Sequence, residues 1–268
     1  MAQENTAREK QPFNPLLALL AALAALFFIF PLIGLITGAP WGHITSVITS
    51  ETAVQALGLS IVASLSSTAI AIMFGFPLAW LLARGTFRGK GLLRGLTTLP
   101  MVLPPVVGGI ALLLAYGRKG FIGKPLESTT GITLPFTLAG VIVAESFVAM
   151  PFFVITVESG LRSMNRRLED AARSLGASRR TVFIRVTLPL IWPSLAAGTV
   201  LTWARALGEF GATITFAGNL PGVTQTMPLA IYISQSSNQT DEAIALSLIL
   251  VLVSLVVMIF RRDRSGAG

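Results

Sequence analysis

Two charges stand where a membrane would make them expensive. In "TWARALGEFGATITF", residues 202–216, Arg205 and Glu209 interrupt an otherwise apolar run. Arg205 falls about ten residues into that run, about 15 Å deep at 1.5 Å per residue, near the middle of a bilayer. A charge at that depth costs at least about 2.5–3.5 kcal/mol on insertion scales. An opposite charge one helical turn away on the same face is the simplest way to reduce the cost. Two chemistries fit. The pair can clamp helices together, drawing in Glu145 of the preceding apolar run, or Arg205 can be an electropositive point on an anion pathway. The clamp is the simpler reading, because Glu209 would repel an anion. The hydroxyls of Thr202, Thr213 and Thr215 fit either role, since they can bond an oxyanion or a backbone carbonyl. Gly208, Gly211 and Ala212 permit close helix packing around the pair.

The second unusual stretch is polar. Seven arginines lie between Arg162 and Arg185, with long apolar runs on both sides. Leu161, Met164, Leu168, Ala171, Ala172 and Leu175 recur at three- and four-residue steps, which predicts one amphipathic helix. Gly176 ends it, as a residue that enters the left-handed region at low steric cost. Ser178 caps a second short helix carrying Val182, Phe183 and Val186, and Leu188-Pro189 stops that one. The expectation is helix, sharp turn, helix, with a small apolar face and a basic rim. Such a hairpin suits an anionic lipid surface, or it suits a soluble partner that its alanines would let approach closely.

Catalytic constellations are sparse. There is no cysteine and one histidine, His43, so a thiolate or histidine metal centre is not expected. His-Glu-x-x-His and Gly-x-Ser-x-Gly are both missing from the sequence. No phosphate-cradling G-x-x-x-x-G-K-[ST] loop is present either. "GRKGFIGKP" has the wrong spacing and ends in Pro125, and "GTFRGKG" is too short. No acidic cluster suited to Mg²⁺ appears.

The elements that must position these residues are membrane spans. Of 268 residues 53% are hydrophobic and 12% charged, against about a quarter charged in a soluble domain. Mean hydropathy is +0.75. At about 20 apolar residues per span, six are expected, at 15–37, 54–83, 96–116, 135–157, 195–216 and 243–260. They form one permease-sized domain, 15–260, between an N-terminal arm, 1–14, and a tail, 261–268. The first apolar run is too long for a signal-peptide h-region and reads as a retained helix. Sixteen of the twenty Lys and Arg fall in the arm, the loop after span two, the 161–189 loop and the tail. The positive-inside rule therefore puts both termini and the arginine-rich loop in the cytoplasm. Arg118, Lys119 and Lys124 dissent. The net charge of +8 belongs to these loops rather than to a nucleic-acid site. Helix breakers are expected to interrupt spans: Gly75 and Pro77 in span two, Pro100 and Pro104-Pro105 in span three, Pro151 in span four.

The 161–189 loop resembles the cytoplasmic loop of ATP-binding-cassette importer permeases. That motif runs Glu-Ala-Ala, three residues, Gly, nine residues, Ile, one residue, Leu-Pro. Here it reads Asp170-Ala171-Ala172, Gly176, Val186, Leu188-Pro189, with Glu169 just before the acidic position. Asp170 for Glu and Val186 for Ile conserve chemical character. "RALGEFGA" is similar to the span-five signature of the sulfate and molybdate branch, and "GNLPGVTQTMPLAIY" looks more like molybdate permeases than sulfate ones. The resemblance implies an all-α type I importer permease in the bacterial cytoplasmic membrane. It would be a transport subunit, not an enzyme, and would bind no cofactor itself, with ATP and Mg²⁺ used by a partner. Implied partners are a second copy of the chain, two cytoplasmic ATPases fitted to the 161–189 loop, an external oxyanion-binding protein and membrane lipid. Molybdate is the expected cargo, with tungstate or sulfate as alternatives. A self-sufficient secondary transporter using Glu145 and Glu209 is the competing class, but its inverted halves are not visible.

Overall fold

Prolines and glycines cut the apolar runs, though not everywhere the sequence suggests. The computed structural model describes residues 15–262, with side chains up to 256. The arm 1–14, with Arg8 and Lys10, and the tail beyond Arg262 lie outside the described residues. In chain order the helices are α1 (Pro15–Thr37), α2 (Ile44–Ile48), α3 (Glu51–Arg84), α4 (Lys90–Val102), α5 (Pro105–Tyr116), α6 (Gly123–Thr130), α7 (Leu138–Ser163), α8 (Arg167–Ser174), α9 (Arg179–Val182), α10 (Leu188–Leu207), α11 (Gly211–Phe216), α12 (Met227–Ser236) and α13 (Thr240–Arg262). One π-helical turn, Phe183–Thr187, joins α9 to α10. Among the described residues there is no strand.

Among the described residues, four helical stretches are long and apolar enough to cross a membrane: α1, α3, α7 and the run Arg179–Leu207. The third expected segment is split between α4 and α5, with an extended Leu103 and then Pro104 at the break. α5 alone has 12 residues, too few for a span of about 20. The fifth segment is also split, at Gly208–Phe210, and the sixth lies within α13.

Elsewhere the expected breaks do not occur. Pro77 sits inside α3 and Pro151 inside α7, and both helices continue through them. A proline removes one intrahelical hydrogen bond, and a membrane helix tolerates that where neighbouring helices enclose it. Pro151 is buried.

α3 and α7 form the central pair. α3 buries Ala53, Ala56, Ser60, Ala63, Ser67, Ala71, Gly75 and Ala79, a ladder of small residues at three- and four-residue steps. In lipid, small residues let backbones approach and gain packing contacts. At Gly75 an added Cβ would lie 3.0 Å from Phe153 and 3.2 Å from Val154. Gly198 of α10 closes on the same Phe153 from the other side, at 3.3 Å. The core at this end gathers Leu82, Phe153, Val157, Leu161 and Ile191. α5 and α11, the two half-helices, meet at Gly109, where a Cβ would be 2.6 Å from Thr215. α1 packs against α13 and buries none of its residues.

Candidate functional site

The arginine-rich segment folds into two short helices, but its boundaries differ from the periodic reading. α7 runs on to Ser163, so Leu161 and Arg162 belong to the span and Leu161 is buried in its core. Met164 is extended, and Asn165 accepts from the backbone N–H of Arg167 at 3.1 Å to start α8. The predicted continuous stripe is therefore cut. α8 carries Glu169 and Asp170 in its first turn and Arg173 in its last, each at the end the helix dipole favours.

Gly176 does what its position predicts. Its φ is +84°, its N–H bonds Arg173 O at 2.9 Å, and the Ala177 N–H reaches back to Ala172 O at 3.1 Å. This pair of bonds is a Schellman ending. Ser178 then caps α9, accepting from the Thr181 N–H at 3.2 Å.

Leu188-Pro189 stops nothing. The chain passes through the π turn straight into α10, with the Leu188 N–H bonded to Phe183 O. Pro189 stands in the first turn of α10, where a missing N–H does least harm, and the wider turn before it absorbs the change of register. The second short helix is thus the N-terminal end of span five, and any displacement of α9 acts on that span directly.

One carboxylate locks α8 to the spans, and it is Glu169 rather than Asp170. Glu169 Oε1 accepts from Arg84 Nη2 at 3.1 Å and from the Thr187 hydroxyl at 2.6 Å. The side chains of Arg84 and Glu169 are 13% and 6% exposed. Arg84 also lies over the Trp80 ring, 5.6 Å from its centroid, and Trp80 meets Phe183 edge to face. Asp170, by contrast, is exposed and pairs with Arg173 at 3.4 Å. The apolar residues of α8 and its C-cap turn the other way: Leu168, Ala171 and the capping Leu175 are exposed, Leu175 at 89%.

A second clamp was not singled out by sequence reasoning. Glu158 of α7 is buried between Arg94 of α4 and Arg162, the latter at 3.0 Å. Both guanidiniums also reach the Leu82 carbonyl near the end of α3. The i,i+4 spacing of Glu158 and Arg162 was a visible signal; Arg94 gave none.

Within the membrane, Arg205 and Glu209 do pair, Nη2 to Oε2 at 2.5 Å, and the pair is lopsided: the side chains are 29% and 1% exposed. Glu209 Oε1 accepts from the Ala212 N–H at 2.9 Å, supplying a partner for a donor at the start of α11. The pair holds the helix break of its own segment. Glu145 makes no ion pair or hydrogen bond with either residue among the described residues. Its Oε2 accepts from the Ser67 hydroxyl at 3.0 Å, tying α7 to α3. Thr202 and Thr213 are fully buried and their hydroxyls have no hydrogen-bond partner among the described residues. Thr215 back-bonds to Gly211 O at 2.8 Å. Arg205→Ala is expected to lower thermal stability more than Glu209→Gln, because it leaves a buried carboxylate with no cation. Melting both variants in one detergent checks the order.

The chain matches the family described as "Binding-protein-dependent transport system inner membrane component" over residues 71–262. It belongs to that family. It is a multi-pass protein of the cell membrane and has the type I importer permease fold. It is 45% identical over 238 residues to the molybdenum transport system permease protein ModB of Mycobacterium tuberculosis, covering 89% of each chain. It is 44% identical over 220 residues to the protein of the same name from Escherichia coli K12, covering 79% of this permease and 96% of that one. Among solved structures it resembles a chain of a bacterial alginate ABC transporter in complex with an alginate-bound periplasmic protein. That match has a TM-score of 0.73 at 22% identity and covers 94% and 93% of the two chains. A chain of the MetNI methionine transporter matches with a TM-score of 0.62 at 16% identity, covering 78% of this chain and 93% of that one. At these identities the structures share the fold alone.

Proposed function

We propose that this chain is the permease subunit of an ATP-driven molybdate importer, powered through α8 by separate cytoplasmic ATPases. The observation that carries the mechanism is the two-sided character of α8. One side is fixed to α3 and to the start of α10 by Glu169, Arg84 and Thr187. The other presents Leu168, Ala171 and Leu175 to a partner. A helix eight residues long with exposed leucines and a buried ion pair at its back is a lever, not a free loop. Force applied to it reaches the span pair α3–α7 and the continuous α9–α10 rod together. The arginine distribution supports assigning this end to the cytoplasm. Two copies around one pathway and an external oxyanion-binding protein complete the assembly. The identity to molybdenum permeases over most of both chains supports the cargo.

Arg205 then reads differently. Its carboxylate partner is buried inside the protein while the guanidinium is partly exposed, so the pair shows its positive side outward. A positive face at mid-membrane lowers the barrier for a dianion.

The test is uptake of radiolabelled molybdate into proteoliposomes containing the permease, its ATPase and its binding protein. Uptake is expected to need ATP and to resist a tenfold excess of sulfate. Uptake without nucleotide would overturn the importer, and equal competition by sulfate would overturn the cargo.

A further inference from the structure

The inner ends of α7 and α10 carry a groove that neither the lever nor the mid-membrane pair uses. One cavity, about 470 Å³, is lined by Thr156, Ser159, Ser163 and Ser194. A second, about 570 Å³, is lined by Arg94, Glu158 and Arg162. The two share Ile155, Ser159 and Ser163, so they form one continuous groove running from hydroxyls to guanidiniums. From Ile155 to Ser163 it follows α7 for about 12 Å at the helical rise of 1.5 Å per residue.

Some of its donors are unspent. Arg94 and Arg162 each use Nη2 for Glu158 and Leu82 O. A guanidinium carries five N–H groups, and Nε and Nη1 of both have no partner among the described residues. The Glu158 side chain is 8% exposed, whereas the two arginine side chains are 37% and 47% exposed. Two cations over one buried anion leave the groove positive. The hydroxyls of Ser159 and Ser194 donate to nothing among the described residues, while Thr156 and Ser163 bond their own helix. Such a surface does not suit hydrocarbon, where unpartnered donors are costly.

We propose that this groove is a transient binding site for a tetrahedral divalent oxyanion at the cytoplasmic mouth, contacted by Arg94, Arg162, Ser159 and Ser194. The assignment of the mouth to the cytoplasm, and of molybdate as its occupant, rests on the importer reading above. Guanidiniums and hydroxyls supply directional donors to oxyanion oxygens. Glu158 keeps the site weak, and a pathway site must let its ion leave.

The chain has no native cysteine, so a single Ile155→Cys, in the shared wall but not a donor, reports occupancy. The purified full chain in phosphatidylcholine nanodiscs is labelled with a small water-soluble maleimide. Molybdate at ten times its half-saturating concentration is expected to slow labelling about tenfold. Sulfate should act in the same way, and chloride at equal ionic strength should not. Arg162→Gln in the same background should abolish protection, and a control Ser174→Cys on α8 should show none. No labelling, equal protection at both cysteines, or protection that survives Arg162→Gln would overturn the site. Protection by phosphatidylglycerol in the disc with no added oxyanion would assign the groove to lipid instead and overturn it too. The assay contains no ATPase, so failure of ATP-driven uptake leaves it readable, and lost protection with uptake intact removes only the groove.

Discussion

Gly176→Val is expected to uncouple ATP hydrolysis from transport while the spans still fold and insert. At φ +84° an L residue pays the left-handed penalty, about 1–2 kcal/mol, and more when β-branched. No atom lies within 4 Å of an added Cβ, so the effect is backbone strain and not a clash. Relief requires the chain to leave the left-handed region, which breaks the Schellman ending and swings α8 relative to α9. A strain of one or two kcal/mol lowers the competent population about 5–30-fold. Binding-protein-stimulated ATPase activity and uptake should both fall by that order, with the melting temperature nearly unchanged. Gly176→Asn, which tolerates the left-handed region, should recover most of the activity. Normal stimulated activity in Gly176→Val would remove the turn from the mechanism.

Glu169→Ala is expected to have the larger effect on stability. It leaves the Arg84 guanidinium, 13% exposed, without its anion and the Thr187 hydroxyl without its acceptor. Breaking a buried pair from one side costs about 3–5 kcal/mol. Asp170→Ala, one residue along the chain, removes an exposed pair with Arg173 and should cost under about 1 kcal/mol. The contrast in thermal melts checks which acid is the anchor. If the interaction is electrostatic, Glu169→Leu combined with Arg84→Met should restore much of the stability. A lower melting temperature in the double variant than in Glu169→Ala would mean that α8 is held by something other than this pair.

Much of the architecture could be read from residue order. Long apolar runs gave the spans, and Ser178 and Gly176 announced a cap and a turn by their own chemistry. What could not be read depended on contacts distant in sequence. Periodicity joined Leu161 to Leu175 in one helix, because three- and four-residue steps survive a break whose cause is the extended Met164. Pro189 looked like a stop, but the π turn that accommodates it needs α3 and α8 packed around Phe183 and Thr187. Pro151 and Pro77 looked like breaks too; burial among neighbouring helices accommodates Pro151, whereas Pro77 stays within α3 although it is exposed. The motif placed its acidic position at Asp170. Only burial against Arg84 shows that Glu169, one residue earlier, holds the helix down. Arg205 and Glu209 were legible as a pair from spacing, while the exposure difference that turns the guanidinium outward was not.

The lever itself is tested most directly at its tip. Leu175→Cys, a single thiol at a residue 89% exposed in a cysteine-free chain, should cross-link to the ATPase subunit through a short bifunctional reagent with a disulfide in its spacer. The cross-link should arrest molybdate uptake and be reversed with it on reduction. A Leu175→Cys thiol that instead forms no cross-link during turnover, and is shielded by lipid head groups throughout, would contradict the account.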